Sequence, residues 1–280
     1  MGQMREMAES EAIAEALASL PTRVHGIVSR QLAENAGGQA MFHEGRYWQY
    51  RELAKLQEEI AAILKAGGVR GGDRVMIIGE NSPALVALLF ALSSLDAWAV
   101  MVNARLSARE IDAVREHCGA RRTIYLVRES AEAASHAERH AATPLNLGEA
   151  GTVEISALNE SCLAEPVCES AEDQVAALIY TSGTTGNPKG VMLTHRKLLF
   201  IAAISSTLRR IGPTDHVYGV LPISHVYGLA SVCLGSLFGG ACLHLESRYT
   251  PQKMAKALAQ QGITVCQGVP AMYAKLLEML

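Results

Sequence analysis

From Tyr180 to Gly190 the chain reads Tyr-Thr-Ser-Gly-Thr-Thr-Gly-Asn-Pro-Lys-Gly. Thr181, Ser182, Thr184 and Thr185 offer hydroxyls and Lys189 an ammonium. Gly183 and Gly186 offer a backbone that tolerates positive φ and lets a ligand approach the main chain closely. Converging N–H groups, hydroxyls and one cation are what a polyphosphate requires, so the chemistry suggested is the binding of nucleotide phosphates. The P-loop of nucleotide hydrolases does not fit. It needs Gly-x4-Gly-Lys-Ser/Thr, and five residues after Gly183 stands Pro188. An ordinary polar loop is the plain alternative, since Ser, Thr, Gly and Pro are common in loops.

His225 is the second candidate, within Leu221-Pro-Ile-Ser-His-Val-Tyr-Gly228. Taken without its surroundings, a histidine beside Pro222 is equally a satisfied core residue. The stretch Val226 to Phe238 is apolar and rich in small residues, which fits an acyl pocket or close helix packing. Gly268-Val-Pro270 is a further candidate wall for such a pocket. His136 and His140 stand four apart, a helical spacing that can bind zinc. Their neighbours are charged and no further Cys or His is near, so a solvated helix face is expected.

The Tyr180–Gly190 string resembles the phosphate loop of the adenylate-forming superfamily, which includes acyl-CoA synthetases. Leu221–Gly228 resembles that family's next motif, Leu-Pro-x-Phe/Tyr-His-x-x-Gly, with Ser224 where an aromatic residue is common. Tyr50-Arg-Glu-Leu53, Gly72-Asp-Arg-Val75 and Asn81-Ser82 resemble its N-terminal pattern, so the likeness runs over roughly residues 20 to 280. It implies ATP-dependent activation of a carboxylic acid, expected to be a fatty acid, to an acyl-adenylate, then thioesterification to coenzyme A. ATP, Mg2+ and coenzyme A are the implied cofactor and co-substrates. Thr181, Ser182, Gly183, Thr184, Thr185 and Gly186 would hold the nucleotide, with Thr184 a ligand to the metal. Lys189 would stand beside the pyrophosphate leaving group. His225 would lie where the acyl and pantetheine passages meet, with Val226, Gly228 and Gly268 also touching the acid. Peptide-synthetase adenylation domains carry an aspartate after a Phe, where this chain has Ser224-His225, which points to an acid without an α-amine. An aryl-acid-activating enzyme stays open, since such enzymes also carry a histidine there. The contrasting reading is a non-catalytic nucleotide-binding remnant.

Composition is that of an ordinary globular domain: of 280 residues, 49% are hydrophobic and 19% charged, with net charge -3. No basic block supports nucleic-acid binding, so the expected partners are small molecules. Six scattered cysteines without a Cys-x-x-Cys pair suit free, mostly buried thiols in a reducing compartment. The acidic N-terminus lacks the pattern of a signal peptide. The longest apolar stretch, Ala84 to Leu92, is too short for a transmembrane segment. A cytoplasmic protein is expected, and the sequence does not decide between a monomer and a homo-oligomer.

The elements that must position these residues alternate between strand and helix. Residues 40–43 and 46–50 bracket Glu44-Gly45 as a hairpin. Leu53, Leu56, Ile60, Ile63 and Leu64 follow helical spacing up to Gly67-Gly68. Strands are expected at Arg74–Ile78, Ala97–Val102, Thr123–Val127, Gln174–Tyr180, Val191–Thr194 and Ile263–Gln267, with Trp98 and Tyr125 as core aromatics. Asn81-Ser82-Pro83 and Ser107-Ala-Arg-Glu110 read as helix starts. Thr250-Pro251 starts a helix that Gly262 ends, and Ala271–Leu280 is an amphipathic helix. The fold class is therefore α/β. The resemblance implies layered αβαβα subdomains with mostly parallel sheets, an incomplete form of the family's large N-terminal domain. The expected division is a first subdomain over 1–172 and a second, carrying the phosphate loop, over 173–280, with 142–172 as an irregular connection. Tyr-Gly-x-Thr-Glu, Tyr-x-Thr-Gly-Asp and a lysine-bearing C-terminal domain are absent from the sequence. The expectation is the first half of a longer enzyme, inactive by itself.

Overall fold

The structure, a computed structural model, describes residues 2–181 and 188–279. Helices α1 (Gly2–Ala18) and α2 (Gly26–Asn35) lead into the hairpin of β1 (Gln39–His43) and β2 (Arg46–Gln49). Glu44 and Gly45 turn it with φ of 47° and 83°, the two positive values of the turn that matches strand twist. Helix α3 (Tyr50–Ala66) opens on a capping box between Gln49 and Glu52 and buries Leu53, Leu56, Ile60 and Leu64. Strand β3 (Arg74–Gly79) then leads to α4 (Pro83–Ser94), where the Ser82 hydroxyl accepts from the Leu85 N–H and proline opens the first turn. Next come β4 (Trp98–Asn103), α5 (Ala108–Cys118) and β5 (Arg122–Tyr125). Ser107 and Glu110 cap α5 reciprocally, and Gly119 closes it in the left-handed conformation.

Helix α6 (Ala131–Arg139) is followed by a departure from expectation. The span 142–172, expected to be irregular, supplies β6 (Thr143–Asn146) and β7 (Thr152–Ile155), which pair antiparallel and extend the sheet past β5. Proline is tolerated at position 144 because β6 is the edge strand. The chain continues through β8 (Val175–Thr181), β9 (Lys189–Thr194), α7 (His195–Arg209) and β10 (His216–Gly219). A π-helical run, Tyr227–Leu234, passes into α8 (Gly235–Phe238). The last elements are β11 (Cys242–Leu245), α9 (Pro251–Gln260), β12 (Val265–Cys266) and α10 (Pro270–Met279). The strand expected over 263–267 is thus reduced to two residues.

The strands form a seven-stranded sheet, β6-β7-β5-β3-β4-β8-β9, and a five-stranded sheet, β12-β10-β11-β1-β2. Pairing is parallel in the centre of the first sheet and antiparallel at its edges. In the second sheet only the β1–β2 hairpin is antiparallel. Both sheets draw strands from either side of residue 172. β8 lies beside β4, and β1 beside β11, so the expected break at 172/173 marks no boundary between sheets.

Helices α3 and α4 lie between the sheets. Their buried faces share one apolar cluster with Val75 and Ile77 of β3 and with Val217 and Leu243 of the other sheet. Every residue from Ala84 to Leu92 is buried, the property of a helix enclosed on all sides. On the far face of the seven-stranded sheet, Met76, Ile78, Val100 and Val102 pack against Ile111 and Val114 of α5 and Ala133 and Ala137 of α6. Tyr125 is fully buried, whereas Trp98 is only half-buried at the start of β4. Among the described residues no helix is long and apolar enough to cross a membrane.

Candidate functional site

Strand β8 is buried from Val175 to Ile179 and surfaces at Thr181. Strand β9 returns from Lys189, with Thr181 opposite Lys189 and Tyr180 opposite Gly190. Because β8 runs parallel to β3 and β4, Thr181 and Lys189 stand at the carboxyl ends of the parallel strands, the edge where open α/β sheets bind ligands. Thr181 and Lys189 are both exposed, and no carboxylate among the described residues pairs with Lys189. Ser182, Gly183, Thr184, Thr185 and Gly186 lie outside the described residues. The Tyr180 ring lies against Gly190, where an added Cβ would stand 3.1 Å from it. The Tyr180 hydroxyl is 2.8 Å from His117 Nδ1. Burial raises the Tyr180 pKa far above that of a free phenol, so the group stays protonated.

The loop that presents His225 is held from the other sheet. Asn81, buried just past the end of β3, donates to the carbonyls of Gly219 at 3.0 Å and Leu221 at 2.9 Å. Its Oδ1 accepts from the Ile223 N–H at 2.9 Å. The His225 N–H then closes a turn onto the Pro222 carbonyl at 3.0 Å. Leu221 and Ile223 point into the core, whereas His225 and Val226 are exposed. Sequence reasoning met Asn81 only as part of a motif and a helix start, and nothing local signals a clamp on residues 140 positions away.

Gly228 does not widen a pocket. A Cβ there would stand 2.1 Å from the Pro222 carbonyl oxygen, so glycine is required by backbone against backbone. From Gly228 to Phe238 the apolar stretch is buried helix, with Ser231 and Ser205 hydroxyls 2.6 Å apart. This burial fits the close-packing reading of the stretch. The π-helical winding that follows His225 is rare, and such winding is frequent at functional sites. Gly268 faces the Tyr273 hydroxyl, 3.1 Å from where its Cβ would be.

Two further polar residues were not singled out in the sequence. Glu80 is 3% exposed at the carboxyl end of β3 and accepts from Arg105 at 2.9 and 3.3 Å, with Arg248 at 3.8 Å. Arg248 also pairs with Glu132. A buried carboxylate is tolerated when paired in this way, and this one ties the end of β3 to the segment after β11. Gln267, next to Gly268, is buried with neither amide atom bonded among the described residues. Such a group costs about 1–3 kcal/mol when left unsatisfied. An acidic residue after an apolar strand was the one signal for Glu80; Gln267 carried none.

The expected solvated face at His136 and His140 is overturned. His136 is buried with Nε2 3.1 Å from the Ala104 carbonyl. His140 is 2.5 Å from the Tyr125 hydroxyl and 2.8 Å from Asp112. Both rings turn inward, where the Ala104 carbonyl, the Tyr125 hydroxyl and Asp112 offer polar partners. The hydrogen bond from Arg139, then that of His140, holds the Asp112 carboxyl down at about 2.

A family model described as AMP-binding enzyme matches residues 28–280. The chain is 34% identical over 234 residues to a feruloyl-CoA synthase from an Amycolatopsis species, covering 84% of this chain and 46% of the relative. It is 28% identical to a long-chain-fatty-acid–CoA ligase of Mycobacterium tuberculosis, covering 79% of this chain and 44% of that protein. The o-succinylbenzoate CoA synthetase of Bacillus subtilis, solved in complex with its acyl-adenylate intermediate, superposes with a TM-score of 0.72 at 27% identity. That likeness covers 91% of this chain and 64% of the solved one. The chain spans about half the length of the curated relatives it matches.

Proposed function

This chain belongs to the AMP-binding enzyme family, and from that premise we propose that its protein joins a carboxylic acid to coenzyme A through an acyl-adenylate. The acid's oxygen attacks the α-phosphate of ATP, releasing pyrophosphate, and the thiol of coenzyme A then displaces AMP. The observation that carries this reading is the placement of Thr181 and Lys189, exposed and opposite each other, at the carboxyl edge of the parallel strands. The hydroxyls of Thr181, Ser182, Thr184 and Thr185, with backbone donors at Gly183 and Gly186, would cradle the phosphates. Lys189 would neutralise charge on the leaving pyrophosphate, a contribution made by position rather than by bond-making. Mg2+ would arrive with the nucleotide and meet Thr184. His225, held out by the Asn81 clamp, would meet the acid or the incoming thiol, with Val226 and Gly268 beside it and Gly228 fixing the loop. Free thiols and substrates such as ATP and coenzyme A support a cytoplasmic setting.

For the acid itself we favour an aromatic one, on the likeness to the feruloyl-CoA and o-succinylbenzoate enzymes. A fatty acid is the second reading, favoured by the mycobacterial long-chain ligase. With about half the span of its relatives, the chain alone is proposed to hold nucleotide without completing the reaction. The test is acid-dependent exchange of labelled pyrophosphate into ATP by the complete gene product, over a panel of aryl and fatty acids. Exchange is expected with aryl acids and is expected to fall by at least about tenfold in Lys189→Ala, the loss of one charge-stabilising contact. Exchange unchanged by that substitution would remove Lys189 from the site, and exchange confined to fatty acids would reverse the choice of acid.

A further inference from the structure

The outer face of the five-stranded sheet carries a cluster that the proposed reaction does not use. His216 of β10 stands in register with Cys242 of β11, and Tyr218 with His244. Parallel neighbours in register share a face and so do residues two apart on one strand, so His216, Cys242 and His244 point the same way. One ligand atom from each lies within 4.8 Å of the others. We propose that these three side chains form a binding site for a single divalent cation of the zinc class, completed by water.

The surroundings of the three side chains bear on this. His244 Nδ1 lies 3.2 Å from Gln261 Oε1, an acceptor, so Nδ1 carries the hydrogen and Nε2 turns its lone pair inward. An outer carbonyl that fixes the tautomer of a ligating imidazole is the usual support of a metal site. His216 Nδ1 stands 2.7 Å from His244 Nε2. Tetrahedral zinc, with Zn–N near 2.0–2.1 Å, needs its nitrogens about 3.3 Å apart, so the half-buried His216 ring must move out by about 0.6 Å. The donor set, two imidazoles and a thiol, is that of zinc rather than of magnesium or calcium, which take oxygen. Asp215 does not compete, since its oxygens accept from the Gly212 N–H at 2.8 Å and the Thr264 hydroxyl at 2.7 Å. A cavity of about 470 Å3, lined in part by Phe42, Tyr218 and Gln261, reaches His244, one of the three ligands.

Protons balance simply. The hydrogen on His216 Nδ1 gives way to the Nε2–H tautomer, so the neutral imidazoles release no net proton. The Cys242 thiol loses its proton to solvent, and one proton leaves per cation bound. The site lies toward the amino ends of β10 and β11, whereas the His225 loop follows the carboxyl end of β10, so it stands or falls independently of adenylation.

The experiment is titration of the untagged, chelator-treated chain with Co2+, followed optically, with Zn2+ as competitor. One equivalent should produce the visible bands of four-coordinate cobalt and a thiolate charge-transfer band, release one proton, and be reversed by Zn2+. Cys242→Ser should abolish the charge-transfer band, and His216→Asn should abolish tight binding. Gln261→Leu should weaken binding about 10–100-fold, the range for lost outer-sphere support. Cys168→Ser with Cys266→Ser should change nothing. Should Cys242→Ser fail to fold by circular dichroism, His216→Asn, at a half-buried position, carries the decision. Absence of saturable binding, or a charge-transfer band that survives Cys242→Ser and disappears in the double variant, would overturn the site.

Discussion

At the residue scale, Asn81 ties the end of β3 to the segment that follows β10. Its amide bonds three backbone groups of the Gly219–Ile223 segment, and all of them are buried. Asn81→Ala would leave the Leu221 carbonyl and the Ile223 N–H unpartnered, while the Gly219 carbonyl keeps the Glu246 N–H, at about 1–3 kcal/mol for each buried group. We therefore expect the urea midpoint to fall by the equivalent of at least about 2 kcal/mol. Asn81→Asp should do little better, since it keeps the acceptor but loses both donors and brings a charge into the core. Equal urea midpoints for the wild type and Asn81→Ala would show that the clamp contributes nothing. The same residue shows where sequence reading stops. Asn81 was visible as part of a motif and as the approach to a helix start, because both depend on near neighbours. Its partners depend on how the carboxyl ends of β3 and β10, strands of different sheets, come together, and no local pattern encodes that.

At the element scale, the segments whose signals are local formed where the sequence put them. Glu44-Gly45 turned a hairpin, Ser107 and Glu110 capped α5, and Ser82-Pro83 opened α4. The β6–β7 pair was not legible, since strands of four residues containing Pro144 and two adjacent glycine turns read as loop until a sheet edge is there to receive them. The π-helical run was not legible either, because its apolar residues fit any buried helix. Its start is set by Gly228, whose Cβ would meet the Pro222 oxygen at 2.1 Å and the Pro222 carbonyl carbon at 2.6 Å. These are backbone atoms and cannot swing aside, so Gly228→Ala must displace the His225 loop or the helix. A loss of about 1–3 kcal/mol, the range for overpacking, is expected as a lowered thermal midpoint. Gly212→Ala, at a position with nothing within 4 Å of the added Cβ, is the control and should be near neutral. A Gly228→Ala midpoint matching that control would show that the close approach relaxes at no cost.

At the scale of the whole molecule, the two sheets are tied not only through α3 and α4 but through the segment that enters α2. His195, first residue of α7, is fully buried, and its Nδ1 accepts from the Val24 N–H at 3.1 Å. Nearby, Arg23 pairs with Asp96 at 2.7 Å, and His25 bonds the Ser93 hydroxyl at 3.0 Å. The chain's amino end, the end of α4 and the start of α7 thus meet around one imidazole. Burial, then the charges of His25 and Arg23, push the His195 pKa down to about 4, whereas an unfolded histidine titrates near 6.5. Between those values the unfolded chain binds more protons than the folded one, so stability rises with pH there. The contribution of the neutral ring is complete above about pH 6.5 and is lost as pH falls toward 4. It corresponds to the order of 3 kcal/mol across that window. Protonation would also put a hydrogen on Nδ1, which now accepts, and so break the tie to Val24. His195→Gln keeps a neutral acceptor for the Val24 N–H and removes the titration. Urea unfolding from pH 7.5 down to about 4.5 should therefore show a shallower loss of stability in His195→Gln than in the wild type, with the two curves converging toward a constant offset above pH 7. Parallel curves over the whole range would mean that His195 is not one of the groups through which acid unfolds this molecule.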